Sequence, residues 1–185
     1  LNDVISTAGF EDLVTLSLAP KNDGILIGSH FTVKAAADAH GHHHRHYREI
    51  RRIISESPLD TPTRDAAIDI FHIIAEAEAA IHDKPVDDVA FHEVGAWDSI
   101  ADVLCAAHLI TTSGATSFSV SSLPLGRGQV KTAHGMLPIP APATALILKG
   151  YAFHFDEPEG ERITPTGAGI IRHLTQPVDQ VTHRG

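Results

Sequence analysis

The amino-acid sequence predicts an α/β or α+β fold, a layered sheet with helices packed on it in a single domain. Three observations carry that expectation. Strand-patterned and helix-patterned stretches alternate along the chain. Proline and glycine fall at the joints between these stretches and mark no linker. No internal repeat is visible, and 185 residues, 43% of them apolar, suffice for one buried core.

Residues 10–34 hold two apolar runs, LVTLSLA and GILIG, separated by Pro20-Lys21-Asn22-Asp23-Gly24. Asp-Gly behind Asn predicts a tight turn between two strands, and HFTVKA continues the second. The tract HGHHHRH at 40–46 is expected on a mobile loop. REIRRIIS at 48–55 reads as a short amphipathic helix. Thr61 as cap and Pro62 at the first helical position then start a long helix reaching His82. Ile70, Ile74, Ala77 and Ile81 give it an apolar stripe. AFHEVG reads as a short strand turning at Gly95 into a helix capped by Asp98 or Ser99. That helix should bury Ile100, Leu104, Ala107 and the Ile110-Thr111 step, and Gly114 ends it. TSFSVSSLPLG has the period of a strand. GQVKTAHGMLPIPAPATALILKG reads as a strand, a turn at His134-Gly135 and a helix closing at Gly150. YAFHF is a further strand, and ITPTGAGIIRHL turns into the last helix. The chain thus divides into N-terminal strands at 1–39 with a truncated start, the histidine tract at 40–46, an α/β domain at 47–175 and a frayed tail at 176–185.

Composition narrows the function. A net charge of −9 disfavours nucleic acid, because phosphate contacts need clustered Lys and Arg, and only RHYREIRR at 45–52 is locally basic. No apolar run approaches a membrane span, and no signal peptide is visible. The lone cysteine, Cys105, leaves neither a disulfide framework nor a cysteine-based zinc site, which suits the cytoplasm. Against this background 14 histidines stand out, since neutral imidazole is a good donor to nickel, zinc, copper or iron.

Four stretches could carry chemistry. In FHEVGAWDSIAD, His92, Glu93 and Asp98 gather at a strand–turn–helix junction, with Asp102 on the face of Asp98; they could bind a divalent cation or move protons, or simply cap a helix. In PLGRGQVKTAHG, Arg127 and Lys131 flank glycines that let a backbone approach a phosphate, although ordinary turns would need the same glycines. In TPTGAG, Thr164, Thr166 and Gly167 open a helix that could hold an anion or merely be well capped. The tract at 40–46 is internal and interrupted, unlike a purification tag; it should bind late first-row ions loosely, because nothing fixes its geometry. On the long helix, His72 and Glu76 share one face and His82 lies about a turn past Glu78; they read as solvated, with metal ligation as the alternative, while Cys105 reads as core and His108 as a satisfied imidazole.

HHHRHYREI, FHEVGAWDSIAD, LPLGRGQVKTAHGMLPIPAPAT and EGERITPTGAGII, in this order over residues 40 to 175, together resemble the LarC family of nickel-insertion proteins. The resemblance implies a nickel chelatase, a lyase-type enzyme. It would insert Ni(II) into pyridinium-3,5-bisthiocarboxylic acid mononucleotide, and the resulting nickel-pincer cofactor would pass to a lactate racemase-type apoenzyme. It implies CTP with Mn(II) or Mg(II) in the full-length protein, at a site outside this stretch. Two departures stand against the family pattern. The Gly/Ser-rich opening close to DCFSGISGDM is missing from residues 1–39, and a C-terminal domain is missing too, so a fragment is expected. By this likeness His42, His43, His44 and His46 capture nickel, and His92, Glu93, Asp98 and His134 form the organised site, with His92 and His134 as ligands. Arg127, Lys131, Thr164, Thr166 and Gly167 are expected to hold the substrate phosphate. A carrier that binds nickel without chemistry of its own is the competing reading, and a homo-oligomer stays open.

Overall fold

A computed structural model describes residues 1–36, 45–91, 94–132 and 135–177. The mixed α/β class holds: the described residues form six α-helices and eight strands, the strands paired in twos. The chain divides into two compact units, 1–68 with 90–113 and 69–89 with 114–185.

The first unit begins with helix α1 (Asn2–Thr7) and a hairpin of strands β1 (Val14–Asn22) and β2 (Ile27–Ala35). Nine residue pairs, from Val14↔Ala35 to Asn22↔Ile27, are in antiparallel register. The turn is made where the Asn-Asp-Gly signal predicts it. Asn22 Oδ1 accepts from the Gly24 N–H at 2.8 Å, and Asp23 Oδ1 accepts from the Ile25 and Leu26 N–H groups at 2.9 and 2.7 Å. These side chains hold the loop by mimicking backbone turn bonds. Its tip is apolar and in water, with Ile25 91% exposed.

Strand β3 (Arg45–His46) runs directly into helix α2 (Tyr47–Glu56). Tyr47, Ile50 and Ile54 recur at helical spacing and are fully or almost fully buried. Helix α3 (Thr61–His82) follows, and its residues up to Ile68 belong to this unit. The cap is Asp60, not Thr61: the Asp60 carboxylate accepts from the Thr63 N–H at 2.9 Å. Carboxylates cap at least as well as hydroxyls, and Asp60 stands the required three residues before the donor. Strand β4 (Ala90–Phe91) pairs with β3, and helix α4 (Trp97–Thr112) closes the unit. Ala96 is its N-cap without a side-chain bond, so neither Asp98 nor Ser99 fills that role; Asp98 Oδ1 accepts instead from the adjacent Ser99 N–H at 2.8 Å. Ile100, Leu104 and Ala107 are fully buried, whereas Thr111 lies on the rim, with its hydroxyl 3.1 Å from that of buried Thr63.

The second unit takes α3 from Asp69 onward. There Ile70, Phe71 and Ile74 are fully buried, Ala77 nearly so, and Ile81 is 38% exposed, because the stripe outruns its packing partners in the last turn. The helix stops at Asp83, whose φ of 49° is left-handed, and the Lys84 N–H donates to the Ala79 carbonyl at 3.1 Å. That is a Schellman stop with Asp in the place glycine usually holds. TSFSVSSLPLG is strand only at β5 (Leu123–Pro124), parallel to β8 (Phe153–His154). The rest of that run has no neighbouring strand, and alternation alone forms no ladder. Strands β6 (Gln129–Thr132) and β7 (Gly135–Pro138) form a second hairpin. Helices α5 (Pro142–Ile147) and α6 (Pro165–Leu174) complete the unit. α6 lies close on α3: a Cβ on Gly169 would stand 2.9 Å from Ile74 Cγ1.

Candidate functional site

In the first unit two chain segments meet at the β3–β4 ladder. Arg45 is the Cα partner of Phe91, and His46 that of Ala90. The histidine tract therefore leads into the ladder at Arg45, and the step to His92 and Glu93 leaves it at Phe91. The turn after that step comes straight back. A Cβ on Gly95 would stand 2.8 Å from the Phe91 carbonyl oxygen and 3.4 Å from the Arg45 nitrogen, so only glycine fits without displacing the ladder.

Arg45 fastens this turn. Its side chain is buried, with the residue only 9% exposed. Nη1 donates to the Gly95 carbonyl at 2.7 Å, and the guanidinium carbon lies 4.0 Å from the Trp97 ring centroid. Trp97 meets Phe10 edge to face at 5.0 Å. Burial lowers the pKa of the guanidinium, and Glu49 opposes that shift. Arginine keeps its charge under such conditions, and a buried cation persists only where donors are used and a ring face shields it. One residue thus ties the base of the tract to the first turn of α4, where Asp98 sits.

Asp98 is half-buried, and Asp102 follows one turn later. Burial first, then the charge of Asp98, pushes the Asp102 carboxyl up, although part of its side chain meets solvent. Beside it, Cys105 is core as expected, and burial with Asp102 pushes its thiol up to about 11, so it is a poor thiolate donor. Asp102 and Cys105 line a cavity of about 620 Å³ with Leu16, Leu18, Phe31 and Leu109. His108 departs from the expectation of a satisfied imidazole, because its Nδ1 is covered and has no hydrogen-bond partner.

In the second unit the Arg127 turn is locked to the loop before α6. Arg127 and Gly160 form an antiparallel bridge, with the Gly160 N–H donating to the Arg127 carbonyl at 3.0 Å. Gly126 has a φ of 71°, and a Cβ there would stand 2.6 Å from the Gly160 oxygen. Arg162 Nε bonds the Asp156 carboxylate. That carboxyl is held below its ordinary value: its partial burial works the other way and is outweighed by Arg162 and by a bond from the Gly126 backbone. Thr164 Oγ1 accepts from the Gly167 N–H at 3.2 Å and caps α6. Arg127 and Lys131 are exposed, Thr166 is half-buried, and a Cβ on Gly167 would meet nothing closer than 3.6 Å. The backbone bridge thus joins the Arg127 turn to the loop that ends at Thr164.

His42, His43, His44, His92, Glu93 and His134 lie outside the described residues. Among the described residues no three His, Cys, Asp or Glu side chains converge as a metal site. His72 with Glu76 at 3.5 Å is a solvent-facing pair, as expected, and exposed His82 lies 3.3 Å from half-buried Glu78. No helix among the described residues is long and apolar enough to cross a membrane.

The chain matches the nickel insertion protein family over residues 1–184. It belongs to that family. Three relatives named for nickel insertion illustrate the likeness. The protein of Geobacter sp. (strain M21) is 50% identical over 133 residues, 72% of this chain and 34% of the relative. That of Geotalea daltonii is 46% identical over 159 residues, 86% of this chain and 40% of the relative. That of Dictyoglomus thermophilum is 46% identical over 140 residues, 76% and 36%. The chain therefore spans little more than a third of the length of these family members. No solved structure matches it.

Within this family chain, sequence reasoning marked the turn at Gly95 but missed Arg45 and Trp97, and it missed Asp156 and Arg162 altogether. A signal existed for Arg45, the one cation inside the histidine tract. None existed for the Asp156–Arg162 pair, because charges in a surface loop carry no period.

Proposed function

We propose that this chain supplies part of a nickel chelatase. The reaction would insert Ni(II) into pyridinium-3,5-bisthiocarboxylic acid mononucleotide, and the nickel-pincer product would serve a lactate racemase-type enzyme in the cytoplasm. Nickel is the substrate metal here. The tract with His42, His43, His44 and His46 raises its local concentration, and His92, Glu93, Asp98 and His134 receive it, with His92 and His134 as ligands. Metallating an aromatic carbon displaces its hydrogen, so a base is needed, and His92 or Glu93 takes that proton. Arg127 and Lys131, with Thr164, Thr166 and Gly167, hold the substrate phosphate through donors and a helix start. CTP with Mn(II) or Mg(II) belongs to the full-length protein; the described residues offer no converging carboxylates for that cation, and no step runs through it.

One observation carries the reading beyond family membership. The tract and the His92-Glu93 step are joined to the chain at Arg45 and Phe91, which are paired in one ladder. The histidine tract and the turn that follows the His92-Glu93 step thus share an anchor, which suits hand-over of an ion. The test uses the full-length protein, with His92→Ala, Glu93→Gln and Asp98→Asn, each assayed for activation of lactate racemase. Activation should fall by roughly 100-fold or more, as loss of a ligand or base requires; undiminished activation removes the proposed roles.

The second reading, nickel storage and delivery without catalysis, draws on the histidine tract, which would gather nickel under either reading. Calorimetric titration with nickel separates the two. A chelatase site adds a tight class of binding that survives replacement of His42, His43, His44 and His46 by Ala; a pure carrier loses all binding.

A further inference from the structure

We infer that Arg45 is a positioning residue for nickel insertion: by clasping the Gly95 carbonyl and stacking on Trp97 it holds the base of the histidine tract and the first turn of α4 at one fixed spacing. The inference rests on the proposed chelatase reading and gives Arg45 a part that acts through Gly95 and Trp97.

Three features single Arg45 out. It is a cation at 9% exposure in the first unit, where a hydrophobic side chain of similar length would fill the space at lower desolvation cost. Its hydrogen bond reaches 50 residues along the chain to a backbone carbonyl, so it joins two segments instead of shaping one. Both segments also carry candidate ligands or bases: His46 is the next residue, and Asp98 follows Trp97 directly. Gly95 makes the clasp selective for this geometry. A Cβ at position 95 would stand 2.8 Å from the Phe91 oxygen, so glycine lets the turn return to the ladder and bring its carbonyl to Arg45. Groups that orient metal ligands from behind commonly change metal affinity without changing the ligand set.

The experiment takes the full-length protein with Arg45→Lys, Arg45→Met and Trp97→Leu, and titrates each with NiCl2 by calorimetry. Circular dichroism and thermal melting run alongside. Arg45→Lys keeps the charge but loses the planar fork, whereas Trp97→Leu keeps the guanidinium and removes the ring that stacks on it and packs on Phe10, so the two variants probe the clasp from its two sides. The expected result is a tight nickel class weakened roughly 10–100-fold and an altered visible Ni(II) spectrum. The loose class of the tract should be unchanged, and the circular dichroism native. A tight class of undiminished affinity in folded Arg45→Lys and Trp97→Leu overturns the inference. His92→Ala serves as the reference: a wild-type protein with no tight class, or a tight class indifferent to His92→Ala, sinks the chelatase reading itself and this inference with it.

Discussion

Two glycine-centred junctions, one in each compact unit, solve the same steric problem with different electrostatics. At Gly95 and at Gly126 a Cβ would stand only 2.8 and 2.6 Å from a backbone oxygen, and an arginine lies beside each joint. Arg45 is nearly excluded from water and satisfies a backbone carbonyl under an aromatic face. Arg162 keeps a side chain 37% exposed and bonds a carboxylate. A buried donor cannot be replaced by water, so its removal leaves an orphaned carbonyl. An ion pair whose cation reaches water can exchange that cation for solvent at smaller cost. The first junction should therefore depend on its arginine, and the second on its glycine.

The largest effect should come from Gly126→Ala. A left-handed φ costs a non-glycine residue roughly 1–2 kcal/mol, and the overpacking against Gly160 and Ile139 adds roughly 1–3 kcal/mol; urea unfolding of the chain would measure the sum. Arg45→Met comes next. Its orphaned carbonyl costs roughly 1–3 kcal/mol, with up to about 2 kcal/mol more from the lost ring contact. Raising NaCl should leave that loss unchanged, because the site is shielded from ions. Arg162→Met should cost less than about 1 kcal/mol, and the loss should fade in high salt. An Arg162 effect larger and less salt-sensitive than that of Arg45 would undo the comparison.

The smallest effect is one of pH. The Asp156 carboxyl is held below its ordinary value near 3.8, so the folded state binds its proton less well than the unfolded state. The stabilisation this brings is present in full above that ordinary value and is lost as the pH falls through the lower folded value. Melting of wild type and Asp156→Asn should therefore converge in acid and separate as the pH rises above 4. Asp102, whose carboxyl is raised, has the opposite sign. Its ionised form opposes folding at neutral pH, and Asp102→Asn should melt higher than wild type there, with the difference shrinking toward acid.

Much of this was legible in the chain. The hairpin turn at Asn22-Asp23-Gly24, the helix from Thr61 to His82 and the burial of Ile100, Leu104 and Ala107 follow from local propensity and period, which neighbouring residues carry among themselves. The cap on α3 was misplaced by one residue, since several adjacent side chains could serve and only the hydrogen bond from the Thr63 N–H chooses Asp60. TSFSVSS failed as a strand because pairing is a property of two segments. For the candidate site, the sequence marked Arg127 and Thr164 in separate motifs, and the structure joins Arg127 to the loop before Thr164 through Gly160.

By itself the sequence determined the mixed α/β class, the family, the histidine-rich tract and the lone cysteine, all of which rest on composition or on order along the chain. Only tertiary structure decided that Arg45 serves Gly95 and Trp97, that Gly126 must be glycine, and that Asp156 holds Arg162. The physical reason is range. Propensity, capping and period act over a few residues, whereas a cation's partner 50 residues away is fixed by the shape into which the intervening chain has packed.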